Sequence, residues 1–493
     1  MGISTTKSVG CACRFCCIWD FSGEKMKKLS FRKGFLPFDG LDFSKGRALS
    51  QERVLEQFTP KEVVIPMHQS IGTAAVPIVK VGALVSIGQM IGRPTSHISV
   101  PVHASISGTV TAIETIRLPN GIECQAVRIQ NDLKRRTDDS VQKRQSPEKL
   151  SPKDLRRLLL FSGIVGMGGE GYPAAAKCLQ ASIAGVDTLY VNGLQSEPYL
   201  TCDIHLMREH ADRVIQGAIA LGSVCRVQRI VFCLQDKWTQ EIDTMEGALE
   251  RFRPSYPDRE LSISVFKARF PQGYDKLLIK AIYHVELTQE QRPEETVGAV
   301  VFNVSTCAAF WEKVEKNLPC TSRVVTVSGD KTAQRNVLVP IGTSVAELLD
   351  RIPGIGACKR IVIGGALMGV AITNLDTPIL KTTQGITLIK QDDPQKSACI
   401  HCGSCVEACP VGILPYLCNR LIEISDLKAL HYESIDKCIS CGACSYACPA
   451  GIELSAHIAR AAHQKRKGNS VAKTADESVQ KSAGKYIEES VIR

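Results

Sequence analysis

Residues 399–410 read CIHCGSCVEACP and residues 438–449 read CISCGACSYACP. Each run spaces its cysteines as C-x2-C-x2-C-x3-C and ends in proline. The first holds Cys399, Cys402, Cys405 and Cys409; the second holds Cys438, Cys441, Cys444 and Cys448. Three cysteines at such intervals wrap a tight loop around one face of an iron–sulfur cube, and in the two-cluster arrangement the fourth ligates the other cube. The expected sets are therefore Cys399, Cys402, Cys405 and Cys448 for one [4Fe–4S] cluster, and Cys438, Cys441, Cys444 and Cys409 for the other. Gly403 and Gly442 let the backbone run close to each cube, where N–H groups tune the potential. Zinc is the alternative, but zinc knots pair separated CxxC units and use neither a third close cysteine nor the Cys-Pro ending. Two such clusters form a one-electron wire.

Outward from this module, Leu414 to Tyr432 reads as one or two helices, and the sequence beyond His463 turns polar, as disordered tails do. The chain has 493 residues, too many for one core, so three or more domains are expected. No segment supplies the roughly 18 to 20 apolar residues of a spanning helix. Thr296–Trp311 is too short, and Pro94–Ile113 is broken by Pro101, His97 and His103. The formal charge is +10, with basic clusters at Lys134, Arg135, Arg136, Lys143 and Arg144 and at Lys465, Arg466 and Lys467. Such clusters are solvated surface or contacts for an anionic membrane or acidic redox partner, and no nucleic-acid module accompanies them.

The 21 cysteines, without the apolar core of a signal peptide at the N-terminus, point to metal or redox chemistry in a reducing compartment. Met26-Lys27-Lys28-Leu29 reads like a translation start, leaving Met1–Lys25 as an extension; Cys11, Cys13, Cys16 and Cys17 have no regular partner set there. The remaining scattered cysteines, Cys124 to Cys358 and Cys418, read as buried structural residues.

The fold class is multidomain, all-β regions combined with α/β. After an N-terminal extension (1–30), residues 31–133 carry short strands and glycine turns, notably Val79–Gly92 and Val100–Ile113, like the barrel-sandwich hybrid of carrier domains. No lysine lies in the intervening Arg93–Ser99, so this domain reads as scaffold. Residues 134–153 form a charged linker. Residues 154–318 alternate helix and strand, with a helix at Leu155–Phe161, strands at Thr188–Asn192, Arg229–Leu234, Ser262–Phe266 and Ala299–Val304, and one long helix at His205–Leu221. This is the pattern of a mostly parallel α/β sheet. Residues 319–390 return to short strands at Arg323–Ser328, Val337–Pro340 and Arg360–Ile363, with a helix at Ser344–Arg351. The cluster module occupies 391–464 and a polar tail 465–493.

Between the first helix and the strand at Thr188, residues 163–177 read GIVGMGGEGYPAAAK. Such a glycine cluster either lets backbone N–H groups approach a phosphate or flavin, or is a tight structural turn. Gly166, Gly168, Gly169, Gly171, Pro173 and Lys177 resemble the GxGGAGFPxxxK loop of the flavoprotein subunit of respiratory complex I. They resemble still more its relative, the C subunit of the Rnf ion-translocating electron-transport complex. Asn192-Gly193, Glu197-Pro198-Tyr199, Met207–His210, Phe270–Gly273, Asn303-Val304 with Thr306, and Gly364-Gly365 with Met368-Gly369 resemble further blocks of that family in order.

The resemblance implies a barrel-sandwich domain, an FMN/NADH-binding α/β domain, a β-grasp-like (SLBB) domain and a ferredoxin-like helical module with two clusters. It implies bound FMN, NAD(H) as substrate, and the loop glycines with Lys177 holding the FMN phosphate or ring. Asn192, Asn303 and Thr306 become polar contacts, and Glu197 lies near flavin or nicotinamide; no catalytic residue is assigned. The implied partners are the other subunits of the complex and ferredoxin or another redox protein. The implied place is peripheral, on the cytoplasmic face of a bacterial inner membrane, with ion translocation in other subunits. The chain would then be an NADH:ferredoxin-type oxidoreductase subunit of a translocase. Departures gather in the flavin half and the N-terminal segment: Glu170 stands where the family has Ala, Gln195 and Ser196 replace an acid and a cysteine, and Gly273-Tyr274-Asp275 replaces a GGE-like block. Phe31–Pro37 keeps only part of a further block. They motivate an alternative reading, a diverged iron–sulfur relay between protein partners such as a soluble reductase, without NADH or FMN chemistry.

Overall fold

The computed structural model describes residues 58–142, 146–329, 332–352, 358–390, 395–426, 430 and 435–470. The four N-terminal cysteines, Met26–Leu29, Phe31–Pro37, Lys143 and Arg144, and everything beyond 470 lie outside the described residues.

The first region contains β1 Glu62–Pro66, β2 Val76–Pro77, β3 Leu84–Val85, β4 Met90–Arg93, β5 Val102–His103, β6 Gly108–Arg117 and β7 Glu123–Asn131. They form two sheets, in the orders β1-β7-β6-β3 and β2-β4-β5. Val63, Ile65, Met67, Ile91, Val102, Val110, Val127 and Ile129 fill the space between, as two packed sheets require. The β6–β7 ribbon turns at Leu118–Ile122, where Gly121 has φ +83° and Asn120 accepts from the Ile122 N–H.

The second region opens with α1 Pro152–Phe161, started by a capping box between Ser151 and Asp154. It continues with α2 Ala174–Ala184, β8 Thr188–Asn192, α3 Cys202–Glu209, α4 Ala211–Cys225, β9 Arg229–Gln235, α5 Thr239–Phe252 and β10 Glu260–Phe266. It ends with α6 Asp275–Tyr283, β11 Ala299–Asn303 and α7 Val304–Lys316. The sheet is fully parallel in the order β10-β9-β8-β11. β8 is buried along its whole length, as a parallel strand covered on both faces must be. The expected single helix at His205–Leu221 is two helices, broken at His210 (φ −137°, ψ 37°). Both pieces bury their apolar residues, so the periodicity runs on across the break and hides it.

The third region is a mixed sheet of β12 Ser322–Gly329, β13 Thr332–Pro340, β14 Arg360–Ile363, β15 Val370–Ile372 and β16 Gly385–Ile389, in the order β13-β12-β16-β14-β15. α8 Val345–Asp350 lies after β13, and its Val345 and Leu348 join the buried Val325, Val337, Ile379 and Leu388. The last region has α9 Ser404–Glu407, α10 Pro415–Glu423, α11 Ala443–Tyr446 and α12 Leu454–Ser470. α12 runs to Ser470, past the point where the sequence turns polar, because Ile458 and Ala462 anchor it against α10.

Lys381, fully buried, fastens three regions at once. Its ammonium donates to the carbonyls of Pro101 (3.2 Å) and Gly163 (2.7 Å). Arg323, equally buried, donates to the carbonyls of Lys381 and Met167. Among the described residues no helix is long and apolar enough to cross a membrane.

Candidate functional site

In β8-β9-β10 the chain moves outward to one side, then returns to place β11 on the other side of β8. That reversal leaves a crevice outside the carboxyl ends of β8 and β11, where open α/β sheets bind ligands. Asn192 and Asn303 end these two strands, side by side in register. Over them opens a cleft of about 810 Å³, lined by Gly166, Gly168, Gly169, Lys177, Asn192, Glu197 and Asn303. Other regions supply further walls: Leu118, Pro119 and Asn120 from the β6–β7 turn, and Gly364, Gly365 and Met368 from the β14–β15 connection. The latter two segments approach from outside the α/β sheet.

Two expected contacts are corrected. Thr306 is fully buried and absent from the cleft wall; its hydroxyl accepts from the Met167 N–H (3.0 Å) and so anchors the glycine loop from below. Gly171 also faces away. It has φ +71°, its carbonyl accepts from the Ile71 N–H (3.1 Å), and a Cβ there would meet Thr382 and Ile71. The loop is tied to itself by Gly166 N–H to Tyr172 carbonyl and Gly171 N–H to Gly166 carbonyl. Among the described residues the amides of Gly168, Gly169 and Glu170 find no acceptor. Three successive free amides beside a lysine suit an anion such as a flavin phosphate, and the cleft volume suits a flavin.

Lys177 is buried, and its ammonium pairs with Glu170 (3.1 Å) and Asp275 (3.3 Å). Burial alone would lower its pKa; Glu170, Asp275 and the nearby Glu294 override that and raise it. Burial pushes Asp275 and Glu294 up, against the pull of Lys177. Three carboxylates thus share one positive charge. Asn192 donates to Asp275 (3.0 Å) and to the Gly273 carbonyl (2.9 Å), so its amide fixes the acid as much as it faces the cleft.

Asn303 caps α7 by accepting from the Ser305 N–H, and donates to Asp203 (2.7 Å). Asp203, buried and raised by that burial, also accepts from the Ser305 hydroxyl (2.6 Å). No sequence motif marks Asp203; its place four residues after Tyr199 is the one hint. The other departures acquire roles. Gln195 accepts from the Asp203 N–H (2.8 Å) at the start of α3, and Ser196 accepts from the Gly273 N–H (3.1 Å).

Glu197 reaches across to the third region, accepting from the N–H groups of Leu367 (3.2 Å) and Met368 (2.8 Å). Burial pushes its carboxyl up to about 7 despite those two donors. The same connection touches the cysteine module: a Cβ on Gly442 would lie 2.6 Å from the Leu367 carbonyl oxygen. Leu367 also packs on a buried group of Phe270, Ala408, Cys441 and Ala443.

The module is pseudo-symmetric. Gly403 and Gly442 share φ +78° at the starts of α9 and α11, and His401 and Ser440 share φ +55°. The positive φ is a further reason for glycine at these two positions. Cys399, Cys402, Cys405 and Cys448 line one cavity of about 230 Å³. Cys441 is raised to about 12 by burial and then by Cys409 and Cys438, and Cys444 is raised by burial and by Cys441, Cys438 and Cys409. The cavity thus brings Cys448 of the second run to the first three cysteines of the first. Among the described residues no three histidine, cysteine or acidic side chains close in on a single ion. Thiols around a cavity fit a cube and not a zinc ion. Cys399 and Cys402 are exposed, whereas Cys409, Cys438, Cys441 and Cys444 are buried. Of the scattered cysteines all but the half-buried Cys358 are buried.

Three family models match: the Nuo51 FMN-binding domain over residues 161–312, the RnfC barrel sandwich hybrid domain over 31–134, and the 4Fe-4S dicluster domain over 398–452. The chain is 33% identical to the C subunit of the proton-translocating ferredoxin:NAD(+) oxidoreductase complex of Clostridium ljungdahlii, over 80% of this chain and 84% of that one. It is 33% identical to the Na(+)-translocating counterpart of Acetobacterium woodii (72% and 80%). It is 32% identical to the C subunit of the ion-translocating oxidoreductase complex of Rhodobacter capsulatus (75% and 71%). Among solved structures, a chain of an NAD+-reducing [NiFe]-hydrogenase in the air-oxidized state matches with a TM-score of 0.50 at 15% identity, over 69% of this chain and 70% of that one, a likeness of fold alone.

Proposed function

The chain belongs to the family formed by the C subunits of ion-translocating ferredoxin:NAD(+) oxidoreductase complexes, and on that premise we propose that it passes electrons between NAD(H) and a one-electron partner through an FMN site and two [4Fe–4S] clusters. The observation that carries this is one continuous path: cleft, Glu197, Leu367, Gly442, Cys441. Bound FMN would supply the exchange between a two-electron hydride and single electrons, which clusters lack. The chain's part is to seat the flavin over Asn192 and Asn303 with Lys177 and the free amides of the glycine loop, and to exclude water with walls from three regions.

In this reading Cys399, Cys402, Cys405 and Cys448 hold one cluster, and Cys438, Cys441, Cys444 and Cys409 the other. The second set, buried and touching Leu367, faces the cleft. The first, with Cys399 and Cys402 exposed, faces the partner. The domains divide at 31–133, 154–318, 319–390 and 391–464. The third is β-grasp-like (SLBB-like), a reading supported by its parallel pairing of β12 with β16 and the helix after the first hairpin. The partners are the other subunits of the complex and ferredoxin, with this chain peripheral on the cytoplasmic face of a bacterial inner membrane and ion translocation carried by its neighbours. The rival reading, a relay without flavin, draws no support from the relatives.

The test is anaerobic purification, cluster reconstitution, and titration with FMN and then NADH. Stoichiometric FMN binding, with NADH bleaching both flavin and cluster absorbance, is the expected result. Iron and sulfide for two clusters, with no flavin retained and no response to NADH, would establish the relay instead.

A further inference from the structure

The glycine loop of this chain carries an acid within reach of its own lysine, and two observations decide what that acid does. The side chain of Glu170 is 47% exposed, whereas that of Lys177 is 10% exposed. The acid is therefore the movable partner and the lysine the fixed one. Asp275, the lysine's second partner, is held in place by Asn192 (3.0 Å), so it stays when Glu170 leaves. Glu170 also lies over the loop, with a carboxylate oxygen about where it would meet a Cβ on Gly166, at 3.0 Å. Its neighbours Gly168 and Gly169, and its own amide, are the free N–H donors. The carboxylate thus sits on the ammonium and against Gly166, in the loop that carries the free amides.

Resting on the flavin reading above, we propose that Glu170 is a built-in counter-ion that the flavin phosphate must displace, so that it sets the affinity for FMN and weakens selection of phosphorylated over unphosphorylated flavin. With Glu170 on Lys177 the lysine carries no uncompensated charge, and Asp275 and Glu294 leave the surroundings negative. The phosphate gains Lys177 only by turning Glu170 out to solvent. Half-exposed ion pairs are cheap to break, so the penalty is about threefold to fivefold in affinity and not an exclusion. Riboflavin carries no phosphate and leaves Glu170 where it is. The consequence is a flavin held in exchange with the medium, with FMN preferred over riboflavin by less than an unopposed lysine would give.

The experiment titrates the anaerobic, cluster-loaded full chain with FMN and, separately, with riboflavin, following flavin fluorescence for the wild type, Glu170→Gln and Glu170→Ala. Both variants are expected to bind FMN about threefold to fivefold more tightly, with riboflavin affinity changed less than about twofold. Added salt is expected to narrow the gap between wild type and variant for FMN. Unchanged or weaker FMN binding overturns the proposal, and so does an equal change for both flavins, which would make Glu170 a shaper of the ring pocket. A different failure, in which neither flavin saturates any of the three proteins while iron content stays intact, overturns the flavin reading itself.

Discussion

Gly403 and Gly442 occupy matching places in the two cysteine loops and share φ +78°, yet alanine at each should have different consequences. In the left-handed region a Cβ costs about 1–2 kcal/mol whatever surrounds it. At Gly403 no protein atom lies within 4 Å of the added carbon, and any crowding against the cube is shared by the matching Gly442. At Gly442 the Cβ would lie 2.6 Å from the Leu367 carbonyl oxygen and 3.3 Å from its carbon. Two backbones must part by several tenths of an ångström, a shift of the kind that costs about 1–3 kcal/mol more. The moving segment is the one whose N–H groups hold Glu197, so the disturbance reaches the cleft. Urea unfolding of the cluster-loaded chain under anaerobic conditions should place Gly442→Ala about 1–3 kcal/mol below Gly403→Ala. In stopped flow, NADH should reduce the clusters of Gly442→Ala more slowly than those of Gly403→Ala, while dithionite reduces both alike. Equal midpoints and equal NADH rates would show that the contact between the β14–β15 connection and the second cysteine loop carries nothing.

Crossed ligation is tested by counting clusters: Cys399→Ser combined with Cys448→Ser should lose no more iron than Cys448→Ser alone, whereas Cys438→Ser combined with Cys448→Ser should lose both clusters. The opposite pattern in iron and sulfide analysis would mean that each run keeps its own fourth cysteine. Glu197 makes stability depend on pH with an unusual sign. Because its folded carboxyl is raised from 4.5 to about 7, the folded chain binds more protons between those values, and its stability falls as pH rises from 4.5 to about 7. Glu197→Gln should flatten this slope in urea midpoints, and a slope equal to that of the wild type would remove Glu197 as its source. Lys381→Met leaves the Pro101 and Gly163 carbonyls without their donor, so it should destabilise the junction by about 2 kcal/mol. Limited proteolysis should then release the N-terminal β region faster, and an unchanged cleavage rate would argue that the lysine is not its fastening.

Legibility followed distance along the chain. The cysteine runs were readable because the first three cysteines of each, such as Cys399 to Cys405, lie within a single short loop whose spacing suits one face of a cube. The strands Thr188–Asn192 and Arg360–Ile363 were readable to the residue because short runs rich in β-branched and apolar residues ended in polar or glycine residues, although only the first is buried throughout. What failed was assignment of direction. Thr306 and Gly171 belong to motifs with cleft residues, yet one side chain anchors the loop from beneath and the other position packs against Ile71 and Thr382. The cleft walls from Leu118–Asn120 and Gly364–Met368 come from segments far away in sequence; the second was marked by its resemblance to a family block, whereas no local pattern marks the first.

The departures from the family's pattern show the same limit from the other side. In sequence Glu170 and Asp275 look like two separate losses, a bulky acid gained in the glycine loop and a longer acid shortened at the start of α6. In the fold they meet on one ammonium, Glu170 at 3.1 Å and Asp275 at 3.3 Å from the Lys177 nitrogen. Gln195 and Ser196 likewise keep hydrogen bonds, to Asp203 and Gly273, without the charge or thiol of the residues they replace. A site that had merely lost its ligand would be expected to leave such groups unmatched, because nothing would hold them to one geometry. Here each altered side chain has a partner across the cleft or beneath it. The altered residues are therefore held to one geometry, as the proposed flavin site retuned in charge requires.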